Sequence, residues 1–312
     1  MENDSQIRNP TEVWGGQYSW QQIIKHAAWC PRDSMGEVVF KDAMWMLGGY
    51  TPVRLNDVWR SCDGVNWSQL VGRCPWRERN LPAALVHDGR MWIFAGFHTT
   101  QGETCRDVWS SEDGVNWKAA TEQAPWAGRG AAGAVAFGGR MWLTGGFNIG
   151  NFEHYTDVWT STDGANWELV SDQAPWGPRA MHAMVVFDGM MWVMGGGIYN
   201  HNYPLNTVAD YGDVWCSDDG DRWAKVASTA WPARRFHASA VYDGKLWVLG
   251  GFARGNRNDV WCSNNGSTWS QHQAPWPIRH ESGCLVHDGK LWIFGGYGDT
   301  LYNDVWALGK AT

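Results

Sequence analysis

The sequence has no long hydrophobic run, no cluster of basic residues and no apolar leader. No stretch approaches 18 consecutive apolar residues, about the length that a membrane-spanning helix requires. The net charge is -7 and the Lys and Arg residues are dispersed, which is not typical of a surface that binds duplex nucleic acid. The polar segment Met1–Thr11 lacks the apolar core of a secretory signal. We therefore expect a chain that binds neither membranes nor nucleic acid.

Paired cysteines are absent as well. The seven cysteines are odd in number, fall at scattered positions and include no Cys-x-x-Cys motif. This distribution favours reduced thiols and predicts a cytoplasmic protein. The sequence also lacks a Gly-x-Ser-x-Gly motif, a Walker phosphate-binding motif and a dinucleotide-binding glycine motif. We predict no cofactor.

Tryptophan, in contrast, is abundant and recurs with Arg at fixed spacings. Each copy of the pattern starts with an Arg, and a Trp follows thirteen residues later, as in Arg79 and Trp92. A second Trp ends an Asp-Val-Trp segment and a third follows eight residues on, as in Trp109 and Trp117. A fourth, such as Trp126, lies three residues before the next Arg. The six copies account for 24 of the 25 Trp residues and start at Arg32, Arg79, Arg129, Arg179, Arg234 and Arg279.

The repeat predicts four short strands. The first follows the Arg, for example over Gly130–Phe137, and a turn such as Asp88-Gly89 leads into the second. A pair of glycines ends the second strand, the Asp-Val-Trp segment forms the third, and a polar turn leads to the fourth at Trp117. Small antiparallel sheets of this kind, repeated around an axis, are typical of a β-propeller.

We therefore predict an all-β fold, a six-bladed β-propeller with four antiparallel strands per blade. The last copy ends after its third strand, so the N-terminal segment from Trp20 to Trp29 is expected to supply the missing strand and close the ring. The whole chain, 1–312, is predicted to be one domain with a flexible tail over 1–12. The expected blades are 32–76, 79–126, 129–176, 179–231, 234–276 and, for the sixth, 279–308 together with 17–29.

These motifs resemble those of the kelch-repeat family in four features: the double glycine, the aromatic residue on the third strand, the Trp on the fourth, and the Arg that begins the next blade. The resemblance extends from Trp20 to Trp306. It implies a propeller similar to the central domain of galactose oxidase or to the sialate mutarotases, and most often a role in binding. The turn Ser161–Trp167 resembles the sialidase Asp-box, a structural turn in propellers.

The six repeated Arg residues allow two interpretations. A feature present in every blade is most simply structural, and each Arg could stack on a Trp ring or donate to a neighbouring blade. Alternatively, the Arg residues could bind anions at the channel mouth. The kelch resemblance implies this second role, because arginines at the mouth of kelch adaptors grip acidic peptides. The structural role is favoured, but Arg32 and Arg279 remain candidate ligand-binding residues.

Loop length points to one functional face. The spacing between the second-strand and third-strand Trp is 14 residues in three blades, 17 in two and 23 in the fourth blade. These loops emerge on the same face as the connections between blades, so we expect a ligand there. The longest loop carries Tyr199, His201 and Tyr203, which suit a sugar or another polar small molecule. A merely solvated polar loop would have a similar composition.

The residues that directly follow the repeated Arg differ between blades. They are Arg235 in blade 5, His280 in blade 6, Asp33 in blade 1 and Asn80 in blade 2. Blades 3 and 4 have Gly and Ala at this position, beneath their longer loops. We therefore expect an off-centre pocket covered by those loops, with this polar arc and the neighbouring Glu281 as the site.

A metal site is not predicted. His182 and His237 match a His that is common in the kelch pattern, and we interpret them as packing residues. A three-histidine site that adds His280 is conceivable across adjacent blades but has little support. The iron motif of kelch nitrile-specifier proteins, Glu-x-x-x-Asp-x-x-x-His, is incomplete because Ser161 replaces its His.

Two functions remain open at this stage. The first is a monomeric binding propeller whose channel mouth recognises a small polar or anionic ligand, such as a carbohydrate, or an acidic peptide. The alternative is an enzyme that acts on a sugar or sugar acid. In that enzyme His280 or Glu281 would serve as general acid or base and Arg235 would hold a carboxylate.

Overall fold

A computed structural model of the chain describes residues 13–14, 17–98, 103–199 and 207–311. These residues form 27 strands and no helix, so none of them belongs to a helix able to cross a membrane. The tail predicted over 1–12 lies outside the described residues, as do the candidate site residues His201 and Tyr203.

The strands form six antiparallel sheets that surround an axis as the blades of a propeller, which confirms the predicted fold class. Two N-terminal strands, β1 (Val13–Trp14) and β2 (Tyr18–Ile24), come first. Blade 1 contains β3 (Gly36–Val39), β4 (Met44–Tyr50), β5 (Arg54–Ser61) and β6 (Ser68–Val71). Blade 2 contains β7 (Ala83–His87), β8 (Arg90–Phe94), β9 (Val108–Ser111) and β10 (Lys118–Thr121). Blade 3 contains β11 (Gly133–Phe137), β12 (Arg140–Thr144), β13 (Val158–Ser161) and β14 (Glu168–Ser171).

Blade 4 carries an additional hairpin on its long loop. Its four blade strands are β15 (Ala183–Phe187), β16 (Met190–Met194), β19 (Val214–Ser217) and β20 (Ala224–Ala227), and the hairpin consists of β17 (Gly197–Tyr199) and β18 (Thr207–Asp210). Blade 5 contains β21 (Ala238–Tyr242), β22 (Lys245–Phe252), β23 (Asn256–Ser263) and β24 (Ser270–Gln273). Blade 6 contains β25 (Gly283–His287), β26 (Lys290–Phe294) and β27 (Val305–Lys310), to which β2 and β1 are added.

Each repeated Arg forms a buried ion pair with the Asp of the Asp-Val-Trp segment in its own blade. In blade 5, Arg234 is fully buried, and its Nη1 and Nη2 atoms donate to the two Asp259 oxygens at 2.7 Å each. Nη1 also donates to the Gly250 carbonyl at 2.9 Å, and the Trp261 indole N–H donates to the same carboxylate. The Arg thereby joins the connection between blades to the middle of the next sheet. The equivalent pairs are Arg32–Asp57, Arg79–Asp107, Arg129–Asp157, Arg179–Asp213 and Arg279–Asp304.

The Trp residues pack neighbouring blades against one another. The Trp that precedes each Arg meets the fourth-strand Trp of the next blade edge to face, as Trp231 meets Trp269 at a centroid distance of 4.5 Å. The turn between the third and fourth strands presents a glycine to the second-strand Trp of the preceding blade. Gly266, for example, has a φ of 73° and lies against Trp192, where any side chain would collide with the indole ring.

The N-terminal strand closes the ring, as predicted. β2 pairs antiparallel with β27, with Trp20 opposite Leu308, and the inner strands of successive blades contact each other in a closed cycle. In blade 6 the third strand, β27, and the fourth strand, β2, come from opposite ends of the sequence, so no turn connects them. Tyr18 packs against Trp247 of blade 5 in place of the glycine turn, at a centroid distance of 5.4 Å.

Replacing Arg234 with Met leaves Asp259 buried without its charge partner. We expect Arg234→Met to lower the free energy of unfolding by about 3–5 kcal/mol, the usual cost of removing one side of a buried ion pair. Urea denaturation followed by Trp fluorescence measures this loss. The control is Arg140→Met, which removes an exposed pair with Glu168 and should cost about 1 kcal/mol or less. Equal losses in the two variants would contradict the stabilising role of the buried pairs.

Candidate functional site

Six residues form a closed hydrogen-bonded ring around the propeller axis. They stand two positions after each repeated Arg, and all have left-handed backbones with φ between 50° and 58°. Each backbone N–H donates to the carbonyl of its counterpart in the preceding blade at 2.8 to 3.1 Å. The bond from Ser34 to Glu281 closes the ring between blades 1 and 6. We call this the neck ring; its members are Ser34, Leu81, Ala131, Met181, Phe236 and Glu281.

A second ring, of aromatic side chains, surrounds the channel mouth. The residue before each member of the neck ring pairs with the residue that follows the glycine pair, as Asp33 pairs with Tyr50. Five of these six partners are aromatic, and only blade 4 has a glycine, Gly197, at this position. The five aromatic residues are Tyr50, Phe97, Phe147, Phe252 and Tyr297.

A cavity of about 600 Å³ occupies the mouth on the face that carries the long loops. One side of it is apolar and the other is polar. The apolar wall comes mainly from blades 2 to 5 and contains Leu81, Phe97, Phe147, Ile149, Phe152, Met181 and Phe236. The polar side comes from blades 6, 1 and 2 and contains Asp33, Arg54, Asn80 and Glu281. Tyr50 and Tyr199 also line the cavity and combine both characters.

The polar side contains two carboxyl groups that share one serine hydroxyl. Ser34 Oγ lies 2.8 Å from Asp33 Oδ1 and within hydrogen-bonding distance of Glu281 Oε2. A hydroxyl has a single proton to donate, so Ser34 Oγ donates fully to one carboxyl group at a time, and a proton on the other carboxyl group would supply the second hydrogen bond. The two carboxyl groups and Ser34 therefore form one hydrogen-bonded unit between blades 1 and 6.

Burial disfavours charge on both carboxyl groups of this unit. It raises the pKa of Asp33 to about 6. Burial also raises the pKa of Glu281 well above its ordinary range, and the nearby charge of Asp33 raises it further. Of the two carboxyl groups, Glu281 therefore holds a proton more tightly than Asp33.

The basic side chains near this unit have other partners. Arg235 donates from Nη1 to Asp210 Oδ1 at 2.8 Å and stacks on the Phe252 ring. His280 Nδ1 lies 2.7 Å from Asn256 Oδ1, and burial together with the charge of Arg235 lowers the pKa of His280 to about 4. His280 is therefore neutral at pH 7 and supplies no positive charge to Glu281.

Arg54 is the basic residue that lines the cavity itself. Its Nε donates to Asn80 Oδ1 at 2.7 Å, which orients the amide, and its guanidinium lies 5.8 Å from the Tyr50 ring centre. Burial lowers its pKa. Arg54 thus presents further N–H groups to a ligand on the blade 1 side of the mouth.

Tyr199 is placed over the cavity by contacts from two neighbouring blades. Its backbone N–H donates to His154 Nε2 at 2.9 Å, and the His154 ring stacks on Phe147 at a centroid distance of 4.9 Å. On the other side the Arg235 guanidinium lies 5.7 Å from the Tyr199 ring centre, while it is bound to Asp210 at the end of the hairpin. The hairpin of β17 and β18 is therefore tied to the mouth on both flanks.

Below the neck ring the channel narrows to a space of about 160 Å³ that Glu37, His182 and His237 help to line. Burial raises the pKa of Glu37 to about 8 and lowers the pKa of both histidines to about 3. His182 Nε2 lies 3.0 Å from Thr144 Oγ1 of the preceding blade, as expected for a packing residue. Within the described ranges, no three His, Cys, Asp or Glu residues are grouped so as to hold a metal ion.

A second cavity, of about 470 Å³, lies on the outside of blade 2 between Arg77, Arg106 and Glu122. Its buried acid, Asp107, is already bound to Arg79 of the scaffold. The mouth cavity is the stronger candidate because its carboxyl groups have no such partner and because it lies on the axis, where all blades contribute.

The structure brings four of the predicted site residues together. Asp33, Asn80, Tyr199 and Glu281 line the mouth cavity, whereas Arg235 and His280 stand beside it with other partners. The sequence analysis missed the aromatic wall and Arg54. The aromatic residues had a visible signal, because an aromatic residue follows the Gly-Gly pair in four repeats and the variant Ala95-Gly96 in a fifth.

Arg32 and Arg279 are placed elsewhere. Both side chains are fully buried in their ion pairs, with Asp57 and Asp304, and offer no surface to a ligand at the mouth. Of the two interpretations of the repeated Arg, the structural one accounts for them. The sequence could not distinguish these roles, because it does not indicate that the Asp of Asp-Val-Trp lies opposite each Arg.

The raised pKa of Glu281 predicts a pH-dependent effect of Glu281→Gln on stability. The native state binds this proton more tightly than the unfolded chain, so the wild type loses stability as pH rises from about 4.3 toward the raised pKa. The glutamine variant cannot ionise. Its free energy of unfolding relative to the wild type should therefore increase between pH 4.5 and 7, as measured by urea denaturation. Glu122→Gln, at an exposed acid, is the control; parallel pH profiles for the two variants would refute the assignment.

No family model matches this chain, and no curated protein is significantly similar to it. The six-bladed propeller fold is given by the structure, as antiparallel sheets closed into a ring. The resemblance to kelch repeats rests on the residues of the repeat alone.

Proposed function

We propose that this protein is a binding propeller whose mouth cavity receives a small carbohydrate-like ligand. The observation that carries the proposal is the division of one cavity into an aromatic wall and a polar side. A sugar ring has an apolar face of C–H groups that stacks on aromatic rings, and its hydroxyl groups need donors and acceptors at the opposite edge. Phe152, Tyr199 and Phe236, which line the cavity and are only partly buried, suit the first requirement. Asp33, Asn80 and Arg54 suit the second.

The size of the cavity favours a small molecule. Its volume of about 600 Å³ falls within the usual range of small-ligand sites. An acidic peptide has less support, because the six repeated Arg side chains are buried in ion pairs and Arg235 is bound to Asp210. Among the described residues, Arg54 is the cation that lines the cavity, and its Nε is bound to Asn80 Oδ1. The kelch resemblance, which implies a binding module, agrees with this proposal.

Truncation of the aromatic wall tests the proposal. Isothermal titration calorimetry with a panel of monosaccharides and disaccharides should identify binding to the wild type. Phe152→Ala should then weaken it about tenfold through loss of stacking. Tyr297→Ala removes an exposed aromatic residue that does not line the cavity and should leave the affinity unchanged. The proposal fails if no saccharide binds, or if Phe152→Ala binds as tightly as the wild type.

An enzymatic function is the second candidate, and the unequal pKa values within one carboxyl pair favour it. Glu281, which holds the proton, would act as general acid, and ionised Asp33 as general base. Asp33 suits this role better than His280, whose Nδ1 is bound to Asn256. On a cyclic sugar, Glu281 would protonate the ring oxygen as the bond to the anomeric carbon breaks, while Asp33 takes the anomeric hydroxyl proton. Reversal of these transfers after rotation closes the opposite anomer.

Polarimetry of freshly dissolved aldoses distinguishes the two functions. If the protein is an enzyme, catalytic amounts should accelerate anomer exchange, and Glu281→Gln should lower that rate at least about 100-fold because the general acid is lost. Binding of the sugar should persist in the variant. Glu122→Gln serves as the matched control away from the cavity. An exchange rate that the wild type does not change would remove the enzymatic candidate and leave the binding function.

A further inference from the structure

Asp33 differs from the other buried aspartates in its lack of a positive partner. Within the described residues, the other buried aspartates, Asp57, Asp213, Asp259 and Asp304, are each bound to an Arg of the scaffold. Asp33 is only 6% exposed, yet it forms no ion pair in that part of the chain. Its partners are Ser34 and, across that hydroxyl, Glu281. A buried carboxylate without a cation is a costly arrangement, because the desolvation penalty is not offset by charge pairing.

Glu281 has the same deficiency. Its one ion-pair contact is His280 Nε2, 3.7 Å from Oε1, and that imidazole is neutral at pH 7. Arg235 acts on Glu281 only at longer range, since its guanidinium is bonded to Asp210. Within the described residues, the two carboxyl groups at the edge of the open cavity therefore have no positively charged side chain bound to them.

Asp33 also has an unused acceptor directed at this space. Oδ1 receives the Ser34 hydroxyl, whereas Oδ2 has no hydrogen-bond partner among the described residues and is not sealed from the cavity that Asp33 lines. The side chain is more than nine-tenths buried and lines the mouth cavity. The free acceptor and the missing charge point to the same kind of ligand group.

We infer that the ligand carries a protonated amine, which binds between Asp33 and Glu281 while the rest of the molecule lies against the aromatic wall. The ligand class is an amino sugar or a similar polyhydroxylated amine. This inference rests on the proposed binding function, and it identifies the substituent of the ligand that the polar side of the cavity recognises.

The surroundings favour an organic ammonium group over a metal ion. A metal ion would need three or more ligating side chains, and no such group exists in the described ranges. An ammonium group is instead stabilised by a site that combines carboxyl groups with aromatic rings, because it donates up to three hydrogen bonds and is also attracted to aromatic faces. Tyr50, Phe236 and Tyr199 line the cavity together with the carboxyl pair.

Arg54 does not supply the missing charge. Its Nε is committed to Asn80 Oδ1, and it forms no ion pair with Asp33 or Glu281 in the described part of the chain. The carboxyl groups therefore lie on the side of the mouth formed by blades 6 and 1, and the guanidinium lies toward blade 2. If the amine of a ligand binds to the carboxyl groups, Arg54 can donate to hydroxyl groups of the same ligand.

A set of sugars that differ in one substituent tests this inference on the unmodified protein. D-glucosamine, D-glucose, N-acetyl-D-glucosamine and D-glucuronate share a ring, and the corresponding galactose series covers the other common stereochemistry. Calorimetry at pH 7 should give an affinity at least about tenfold higher for a hexosamine than for the neutral sugars of its series. Glucuronate should bind most weakly, since its carboxylate would face Asp33.

Variants then assign the selectivity to the carboxyl pair. Asp33→Asn should reduce the preference for the amine to about twofold or less, with Glu122→Gln as the control that keeps it. Thermal unfolding checks that each variant is folded, and the comparison of sugars on the wild type stands even if Asp33→Asn does not fold. Equal binding of amine and neutral sugars, or tighter binding of glucuronate, would overturn the inference but leave the carbohydrate site intact. Absence of binding by every sugar would instead overturn the proposed function itself.

Discussion

The buried pair between Arg and Asp is the interaction on which the rest of this propeller depends. It recurs in every blade and anchors the segment that leaves one sheet and begins the next, so each inner strand starts at the same height relative to the axis. Because the pair is desolvated, its geometry tolerates little variation. The neck ring follows from this constraint: once six Arg residues are held alike, the residues two positions later meet around the axis and join by backbone hydrogen bonds.

In this arrangement, some positions of the repeat stabilise the fold and others determine the chemical character of the mouth. The Arg, Trp and glycine positions serve packing in every blade and cannot vary without loss of the ring. The two residues after each Arg are held by the same backbone bonds in every blade, so their side chains can differ from blade to blade. In blades 1 and 6 they are Asp33, Ser34, His280 and Glu281, whereas blades 3 and 4 have small or apolar residues. The cavity is therefore polar on one side and aromatic on the other without any change of backbone.

The repeat allowed the fold to be predicted, because the Trp and Arg spacings mark four strands per blade and the incomplete last copy requires closure by the N-terminal strand. The site was predicted in part. Asp33 and Glu281 could be selected because they depart from the repeat. Their common contact with the Ser34 hydroxyl could not be predicted, because it depends on left-handed backbones and on closure of the ring between blades 6 and 1, which no local pattern encodes. Arg54 could not be selected, since it follows a loop and reaches the cavity only through the pairing of β4 with β5.

The contact between Ser34 and Glu281 joins residues that are 247 positions apart in the chain. During synthesis, Asp33 and Ser34 of blade 1 must await the segment that begins blade 6 before their partner exists. Even then, blade 6 is complete only when β27 pairs with β2. The carboxyl unit therefore assembles late, and the mouth cavity is incomplete in a molecule whose β2 has not paired with β27. Occupancy of the mouth would accordingly favour finished molecules over open ones, because the ligand stabilises only the state that it can bind.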